Sequence, residues 1–376
     1  LYHLTTMIYS VLAFAAFAGT TLAKDLDLAT YSFEQFVEDY RHDFKESELA
    51  IRKELFRSEV KRVIEHNNKG LWTEGINKFS AAFPSEKKAR LGHKKSVARN
   101  FKPKHLQELP SDFKLKPVSE LPESVDWRNT PNVVSAVKDQ GHCGSCWAFA
   151  ASAVLESHVA LSTGQLYNLS PQQIAMCAPN PQHCGGTGGC EGATAELAFD
   201  YVADSEGTVQ EYEIGYSAYY GSDAECAVTK QTLPVATITG YTQLAENNYT
   251  ALMNAIAQVG PIAVSVDAST WSGYKGGIFN GCNQEQPDIN HAVTLVGYGE
   301  EDGTKYWTIR NSWSPSWGEL GYIRILRTDA DEENCGTDIT PQDGTACEGD
   351  NEPVKVCGTC GVLYDSAYPL GAKLAY

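Results

Sequence analysis

The stretch Gln140-Gly141-His142-Cys143-Gly144-Ser145-Cys146-Trp147-Ala148-Phe149 carries the most specific information in this sequence. An apolar run begins at Cys146, and Ser145 before it is a suitable helix cap. Gly164 is a suitable stop, so the pattern predicts a helix that ends near residue 162. A cysteine in the first turn of a helix lies at the positive end of the helix dipole, which favours the thiolate. The stretch therefore predicts a reactive cysteine.

The cysteine count supports this interpretation. All 11 cysteines lie at or after Cys143. Residues 1–23 are predicted to be a signal peptide with Met7 as initiator and cleavage after Ala23. A short apolar run there precedes small residues, and charged residues follow. We therefore expect the secretory pathway, with an extracellular or lysosome- or vacuole-like destination, and no membrane span. An odd cysteine count in an oxidising compartment leaves one thiol outside five bridges.

Charge divides the chain into two parts. The 376 residues carry 30 Lys and Arg against 47 Asp and Glu, a net charge of −17, which argues against a nucleic-acid partner. Residues 24–120 hold 20 basic and 16 acidic residues, and residues 121–376 hold 10 and 31. A mildly basic segment is thus joined to a strongly acidic one.

Hydrophobic periodicity differs between the same two parts. Helical spacing predicts helices over residues 31–40 and 44–67, and a basic, Pro-dotted stretch over residues 87–117 predicts a linker and processing site. Downstream, the patterns predict helices that open at Ser170-Pro171 and over 191–202, and strands over 262–266, 292–296, 306–310 and 322–326. Helices followed by strands predict an α+β fold with two lobes.

Three fragments in order resemble the papain family of cysteine peptidases, and in particular its cathepsin L-like members. They are the stretch from Gln140, then Asn290-His291-Ala292-Val293, and then Asn311-Ser312-Trp313, with Gly297-Tyr298-Gly299 and Trp317-Gly318 beside them. The resemblance implies a papain-like fold of two lobes with the active-site cleft between them. It implies that Cys146 is the nucleophile, His291 the base and Asn311 the residue that orients the imidazole, with Trp313 shielding their hydrogen bond. Gln140 and the Cys146 amide would form the oxyanion hole.

The part of the chain before residue 121 also resembles this family. Glu48, Arg52, Phe56, Val63 and Asn67 resemble a helical motif of inhibitory propeptides, although Glu59 stands where Asn is usual. Gly75, Asn77 and Phe79 resemble a second motif in which Ala81 replaces the usual Asp. The residues alone indicate an exposed helix with a weak Glu48–Arg52 pair. The resemblance implies a propeptide over 24–120 and a peptidase domain over 121–376.

The charge division then predicts how the propeptide is released. A net charge of +4 beside one of −21 is attractive at neutral pH, and the attraction weakens as carboxylates become protonated. We therefore expect autoactivation in acid. Ala81 argues against a pH trigger at that position.

The resemblance implies disulfides between Cys143 and Cys190 and between Cys177 and Cys226, and a third from Cys282 to Cys335 or Cys360. Two further bridges would use the remaining cysteines, with a connectivity that the sequence leaves open. These are Cys184, Cys347, Cys357 and one of Cys335 and Cys360. A redox or zinc site at Cys357-Gly358-Thr359-Cys360 would need a second pair of cysteines or a nearby His. We therefore expect no metal or cofactor, and instead either a local disulfide or one that staples an insert between Cys335 and Cys360.

Alignment with the family puts Asp365 at the base of the pocket for the second substrate residue before the scissile bond. Apolar walls would hold Leu or Phe, and the carboxylate would pair with Arg or Lys, unless Asp365 faces solvent. The other implied substrate-binding residues are Gly192, Ala193, Ser265, Ile289, Ala292 and Trp313.

The sequence thus predicts a cysteine endopeptidase made as a zymogen, which forms an acyl-thioester on Cys146. A catalytically silent homologue with a binding or storage role and a Cys-His acyltransferase are the alternatives. The expected partners are peptide and protein substrates, the chain's own propeptide and cystatin-type inhibitors, with a monomeric enzyme. Two sequons, at Asn168 and Asn248, are open to glycosylation.

Overall fold

A computed structural model describes residues 27–68, 70, 72–92, 103–111, 113–330, 334–344, 346–347, 349–350 and 352–376. The helices are α1 (Phe33–Asp39), α2 (Leu49–Asn67), α3 (Pro84–Ala89), α4 (Cys146–Thr163), α5 (Pro171–Cys177), α6 (Ala195–Asp204) and α7 (Tyr249–Gln258). The strands are β1 (Trp72–Glu74), β2 (Val125–Asp126), β3 (Ala236–Thr237), β4 (Gly240–Gln243), β5 (Ile262–Val266), β6 (Tyr274–Phe279), β7 (His291–Glu301), β8 (Thr304–Arg310), β9 (Tyr322–Leu326), β10 (Gly336–Asp338), β11 (Val354–Val356), β12 (Ser366–Leu370) and β13 (Lys373–Leu374).

Helix α4 is the central helix. Every residue from Cys146 to Ala160 is buried, because the helix is apolar on all sides. The buried carboxylate of Glu156 holds it in place by accepting from Lys138 Nζ at 2.8 Å and from the Leu169 N–H at 2.8 Å. Gly164 ends the helix in the left-handed conformation, at φ 75°.

The prediction that the Ser145 side chain caps α4 is wrong. Ser145 occupies the N-cap position, but its side chain makes no capping hydrogen bond. Its hydroxyl instead bonds the Tyr216 hydroxyl at 2.7 Å, so it ties the start of α4 to a neighbouring loop.

A nine-stranded sheet packs beside α4. Its order is β1-β6-β9-β8-β7-β5-β12-β4, with β2 also paired to β7. Neighbours are antiparallel apart from the parallel β6–β9 pair. Register pairs Thr294 of β7 with Arg310 of β8, so the first residue of β7 and the residue after β8 lie close together. This arrangement agrees with the predicted α+β class.

The hydrophobic core has two parts, one for each lobe. One is built around α4, with Trp147, Leu155, Ile174 and Phe199. The other lies on the sheet and is rich in buried tryptophans, namely Trp271, Trp307, Trp313 and Trp317. The division agrees with the two lobes predicted from the order of helices and strands.

The five disulfides resolve the open connectivity. They join Cys143 to Cys190, Cys177 to Cys226, Cys184 to Cys347, Cys282 to Cys360, and Cys335 to Cys357. Cys357 and Cys360 therefore have different partners, and the alternative of a local bridge between them is wrong. Within the described residues no group of three or more His, Cys, Asp or Glu side chains is arranged to hold a metal ion.

Several predicted elements agree closely with the structure, and others shift. The strands at 262–266 and 322–326 have the predicted bounds. The helix predicted from residue 191 begins at Ala195, because Gly192 has φ 94° and cannot continue a helix.

The predicted signal peptide over 1–23 and residues 93–102 of the predicted linker lie outside the described residues. None of the described helices is long and apolar enough to cross a membrane.

Helix α2 is largely exposed, as predicted, but Arg52 corrects the expectation of a weak pair with Glu48. Its guanidinium is 5% exposed and donates to Glu48 and to both carboxylate oxygens of Glu86. It also donates to the Ala81 carbonyl oxygen at 3.1 Å. Burial alone raises the pKa of Glu86, but the hydrogen bond and charge of Arg52 lower it below its usual range. Arg52 thus links α2 to the chain from Ala81 to Glu86.

We expect Arg52→Met to destabilise the segment around α2 by about 2 kcal/mol or more, because it leaves two partly buried carboxylates without their cation. Thermal unfolding of the full chain, followed by circular dichroism, measures the change. Arg57→Met is the matched control, since its ion pair with Glu54 is largely exposed. Equal unfolding temperatures for the two variants would contradict the structural role of Arg52.

Candidate active site

Cys146 is the first residue of α4, and it is the one cysteine outside the five disulfides. Its sulfur accepts a hydrogen bond from the Ala292 backbone N–H at 3.4 Å. This contact sets the sulfur beside the first residues of β7, although Cys146 and Ala292 are 146 positions apart in sequence. The amino end of the central helix and the start of a central strand therefore meet at one thiol.

His291 begins β7 and is fully buried. Its Nε2 lies 2.9 Å from Oδ1 of Asn311, which follows β8. Nδ1, the other ring nitrogen, makes no hydrogen bond with any described residue. Trp313 covers the imidazole with its ring centre 5.0 Å away. Burial lowers the pKa of His291 to about 4, against the opposing effect of the Asn311 hydrogen bond.

Gln140 is held rigidly next to this pair. Its backbone N–H donates to the Ser312 carbonyl at 2.9 Å, and its side-chain carbonyl accepts from the Ser312 hydroxyl at 2.5 Å. Its own backbone carbonyl accepts from Tyr216 at 2.8 Å. With its oxygen engaged, the amide presents its NH₂ group to the site, where it is a donor for a carbonyl oxygen.

Residues 72–92, which we call the upstream segment, cover the site. The Gln140 NH₂ group donates to the Arg90 carbonyl at 2.8 Å. Gly92 lies so close to Cys146 that a Cβ there would collide with the sulfur and with the Gly144 carbonyl. The thiol and the amide donor are both occupied by the chain itself.

Two further contacts anchor the upstream segment. The Phe79 ring packs edge-on against Trp313 with the ring centres 5.5 Å apart. Lys78 pairs with Asp139, the neighbour of Gln140, at 2.6 Å. Burial lowers the pKa of Lys78, and Asp139 opposes that change. The segment is therefore held to the same residues that form the site.

Asp365 points inward beside the same cleft and is 9% exposed, so the alternative of a solvent-facing carboxylate is wrong. It accepts from the Ser265 hydroxyl at 2.6 Å and from the Gln243 amide at 3.0 Å. The implied wall residues Ala193, Ser265, Ile289 and Ala292 are all buried. Gly192 adopts φ 94° next to Gly92.

Glu196 is a residue that sequence reasoning missed. It is 7% exposed, and burial first and the charge of Asp365 second raise its pKa well above the usual range. An acidic residue in the first turn of α6 is ordinary for a helix, so its position gave no signal. Burial and the neighbouring Asp365 thus both disfavour the charged form of Glu196.

Comparison with known proteins identifies the family. A family model described as papain family cysteine protease matches residues 121–343. The chain belongs to the papain family of cysteine proteases. It is 34% identical to fruit bromelain of Ananas comosus over 330 residues, 86% of this chain and 88% of that protein. Cathepsin L of Sarcophaga peregrina is 31% identical over 340 residues, 88% of this chain and 96% of that protein.

A solved structure extends the likeness to the upstream segment. The digestive procathepsin L 3 of the Tenebrio molitor larval midgut is similar with a TM-score of 0.69 and 31% identity. The match covers 90% of this chain and 97% of that one. The protein is therefore a cysteine protease precursor, a hydrolase of the cathepsin L-like kind.

Two other histidines of this papain-family chain, His158 and His142, lie in other environments. His158 is buried on α4, bonds the Pro261 carbonyl at 2.9 Å, and has a pKa lowered by burial to about 4. His142 is exposed, and its Nδ1 lies 3.0 Å from Arg90.

Of the two sequons, Asn168 is exposed, whereas Asn248 caps α7 by accepting from the Ala251 N–H.

We expect Gly92→Val to loosen the cover over Cys146, because the added side chain meets the sulfur and a backbone carbonyl with no room to move. Alkylation of Cys146 in the uncleaved chain by iodoacetamide, followed by intact mass, should be faster by about tenfold. Ser85→Val, at an exposed position of α3, is the control and should leave the rate unchanged. An unchanged rate in Gly92→Val would mean that the thiol is accessible past the upstream segment.

Proposed function

We propose that this protein is a cysteine endopeptidase made as a zymogen, with a signal peptide over 1–23, an inhibitory propeptide over 24–120 and a mature enzyme over 121–376. The observation that carries the proposal is the contact of Gln140 and Cys146 with the chain's own Arg90 carbonyl and Gly92. A backbone carbonyl bound by that amide occupies the position that a substrate carbonyl would take. Entry into the secretory pathway agrees with the five disulfides.

The chemistry follows from the residues at the site. The Cys146 thiolate would attack the scissile carbonyl carbon, and the Gln140 amide and the Cys146 backbone N–H would stabilise the oxyanion. The N–H of a first helical residue has no partner within the helix, which suits that role. The protonated His291 would give its proton to the leaving amine as the C–N bond breaks and an acyl-thioester remains. Water, deprotonated by His291, would then release the acid and the thiol.

Asn311 supports the base through geometry. Its Oδ1 lies 2.9 Å from His291 Nε2 and would accept a hydrogen bond from it, which leaves Nδ1 as the atom for proton transfer. Trp313 and Trp271 surround the imidazole and keep water from that hydrogen bond. The role of Asn311 is therefore to hold one tautomer and one ring orientation.

Loss of catalysis tests this assignment directly. Acid-activated protein should hydrolyse a Phe-Arg reporter, and Cys146→Ala should show no activity above background. Gln140→Ala should retain the thiol yet lose about 100-fold or more in kcat. Hydrolysis by Cys146→Ala, or none by a processed and folded wild-type enzyme, would reject the proposed peptidase.

Acid would promote release of the propeptide for two reasons. Protonation of carboxylates removes pairs such as Lys78–Asp139, which link the propeptide to the enzyme. Burial also lowers the pKa of His291 in the covered form to about 4, and release of the propeptide would open the site to solvent, in which an imidazole has a pKa of about 6.5. Between these values the uncovered form binds more protons, so lowering the pH through that window shifts the equilibrium toward it.

We therefore expect the zymogen to convert to mature enzyme much faster at about pH 4.5 than at about pH 7.5, with cleavage just before Leu121. Gel analysis and intact mass over time measure the conversion. Cys146→Ala, which cannot process itself, separates autoactivation from contaminating proteases. Equal conversion rates at the two pH values would overturn the acid mechanism.

The Asp365 pocket would set substrate preference. Asp365 lies at the end of a pocket with apolar walls, beside Glu196, whose pKa is raised, and this arrangement suits either an apolar or a basic residue. Gly192 and Ala193 would line the same pocket on the helical side, and Trp313 would border the leaving-group side.

Asp365→Asn should lower kcat/KM for an Arg-Arg reporter by about tenfold or more while leaving Phe-Arg within about twofold. Asp302→Asn is the matched control, since Asp302 is exposed in the turn between β7 and β8 and Asn also tolerates its φ of 50°. A parallel loss on both reporters would mean that Asp365 acts on the fold and not on selectivity.

A further inference from the structure

The disulfide between Cys184 and Cys347 joins two loops that are 163 residues apart in sequence. Cys184 lies in the loop between Cys177 and Cys190, and Cys347 lies between the paired Cys335 and Cys357. Next to the disulfide, the Gly185 N–H donates to the Ala346 carbonyl at 3.1 Å. A covalent bond and a hydrogen bond thus connect the two loops at one place.

The first loop belongs to the wall of the cleft on the helical side. Gly192 packs so tightly against the Gly185 carbonyl that a Cβ would collide with it. On its other side Gly192 meets the carbonyl of Gly92, the residue that covers Cys146. Cys184 is therefore the neighbour of Gly185, which packs directly on Gly192 beside the thiol.

The second loop belongs to the opposite wall. The Asp338 carboxylate accepts from the Ile289 N–H at 3.3 Å, and Gly344 packs directly on the Ile289 carbonyl. Ile289 is two residues before His291 and is fully buried. The segment from Cys335 to Cys357 is thus fixed to the wall that carries the base, and the disulfide reaches from one wall to the other.

A cavity of about 640 Å³ lies beside the disulfide. Both Cys184 and Cys347 line it, together with Thr194 and Asp365, and Leu106 occupies part of its wall. The disulfide is therefore at the end of the cleft where the Asp365 pocket lies, on the side of substrate residues that precede the scissile bond.

We propose that the Cys184–Cys347 disulfide is a specificity determinant that closes the cleft beyond the residue bound in the Asp365 pocket. This inference rests on the proposed peptidase function. With the two walls joined, a substrate chain has little room for residues that precede the one in that pocket. The enzyme would then favour substrates with few ordered residues on the amino side of the scissile bond, and opening the disulfide would relax that limit.

A ladder of acetylated reporters ending in Phe-Arg, with two to six residues before the scissile bond, tests the proposal. We expect kcat/KM of the wild-type enzyme to fall by about tenfold or more between two and four residues. In Cys184→Ala/Cys347→Ala the values should become nearly independent of length. Cys335→Ala/Cys357→Ala is the matched control, because it removes a disulfide within one segment and should keep the wild-type dependence.

The outcomes are distinguishable. A flat ladder in the wild-type enzyme overturns the proposal without any variant. A length dependence that persists after the Cys184–Cys347 disulfide is removed overturns it as well, since the disulfide then stabilises the fold without limiting the length of the substrate. The two-residue reporter checks each variant for a folded site, and Cys184→Val/Cys347→Ala is the substitute if the first pair does not fold. No hydrolysis of that reporter by folded wild-type enzyme would instead reject the proposed peptidase function.

Discussion

The contact between the amino end of α4 and the start of β7 is the constraint on which the rest of the structure depends. A buried helix and a central strand must approach closely for the Ala292 N–H to reach the Cys146 sulfur. The sheet allows this because it presents small side chains to the helix, at Ala263, Ala292 and Ala367. Larger residues there would separate the helix from the sheet and move the thiol away from His291.

The same close approach explains how the chain can cover its own site with very little backbone. Because the thiol, the Gln140 amide and the indole of Trp313 converge on one small region, three residues of the upstream segment reach all of them. The Arg90 carbonyl meets the amide, Gly92 meets the thiol, and Phe79 meets the indole. Glycine is required at 92 because any side chain would occupy the space of the sulfur. The proposed inhibition would thus depend on fit at the reacting atoms and not on bulk alone.

Much of this arrangement was predictable from the sequence, where local chemistry decides the conformation. The strand at 262–266 is apolar except for Ser265, and α4 begins at Cys146 and ends at a glycine. The helix expected from residue 191 starts four residues late because Gly192 takes a left-handed conformation against a neighbouring loop. The burial of Arg52 and the pairing of Glu196 with Asp365 were not predictable, since both depend on groups far away in sequence.

The disulfide connectivity lies furthest from what a sequence can specify, because it depends on where two loops meet in space. The Cys335–Cys357 disulfide closes a loop of 22 residues and β10 pairs with β11 inside it, so this loop is organised locally. That local order restricts the positions Cys347 can reach, which lowers the entropic cost of pairing it with Cys184 across 163 residues. The shorter bridge therefore favours the longer one without being required for it. Because the longer bridge joins the two walls of the cleft, its proposed effect is on the room left for a substrate chain as well as on stability.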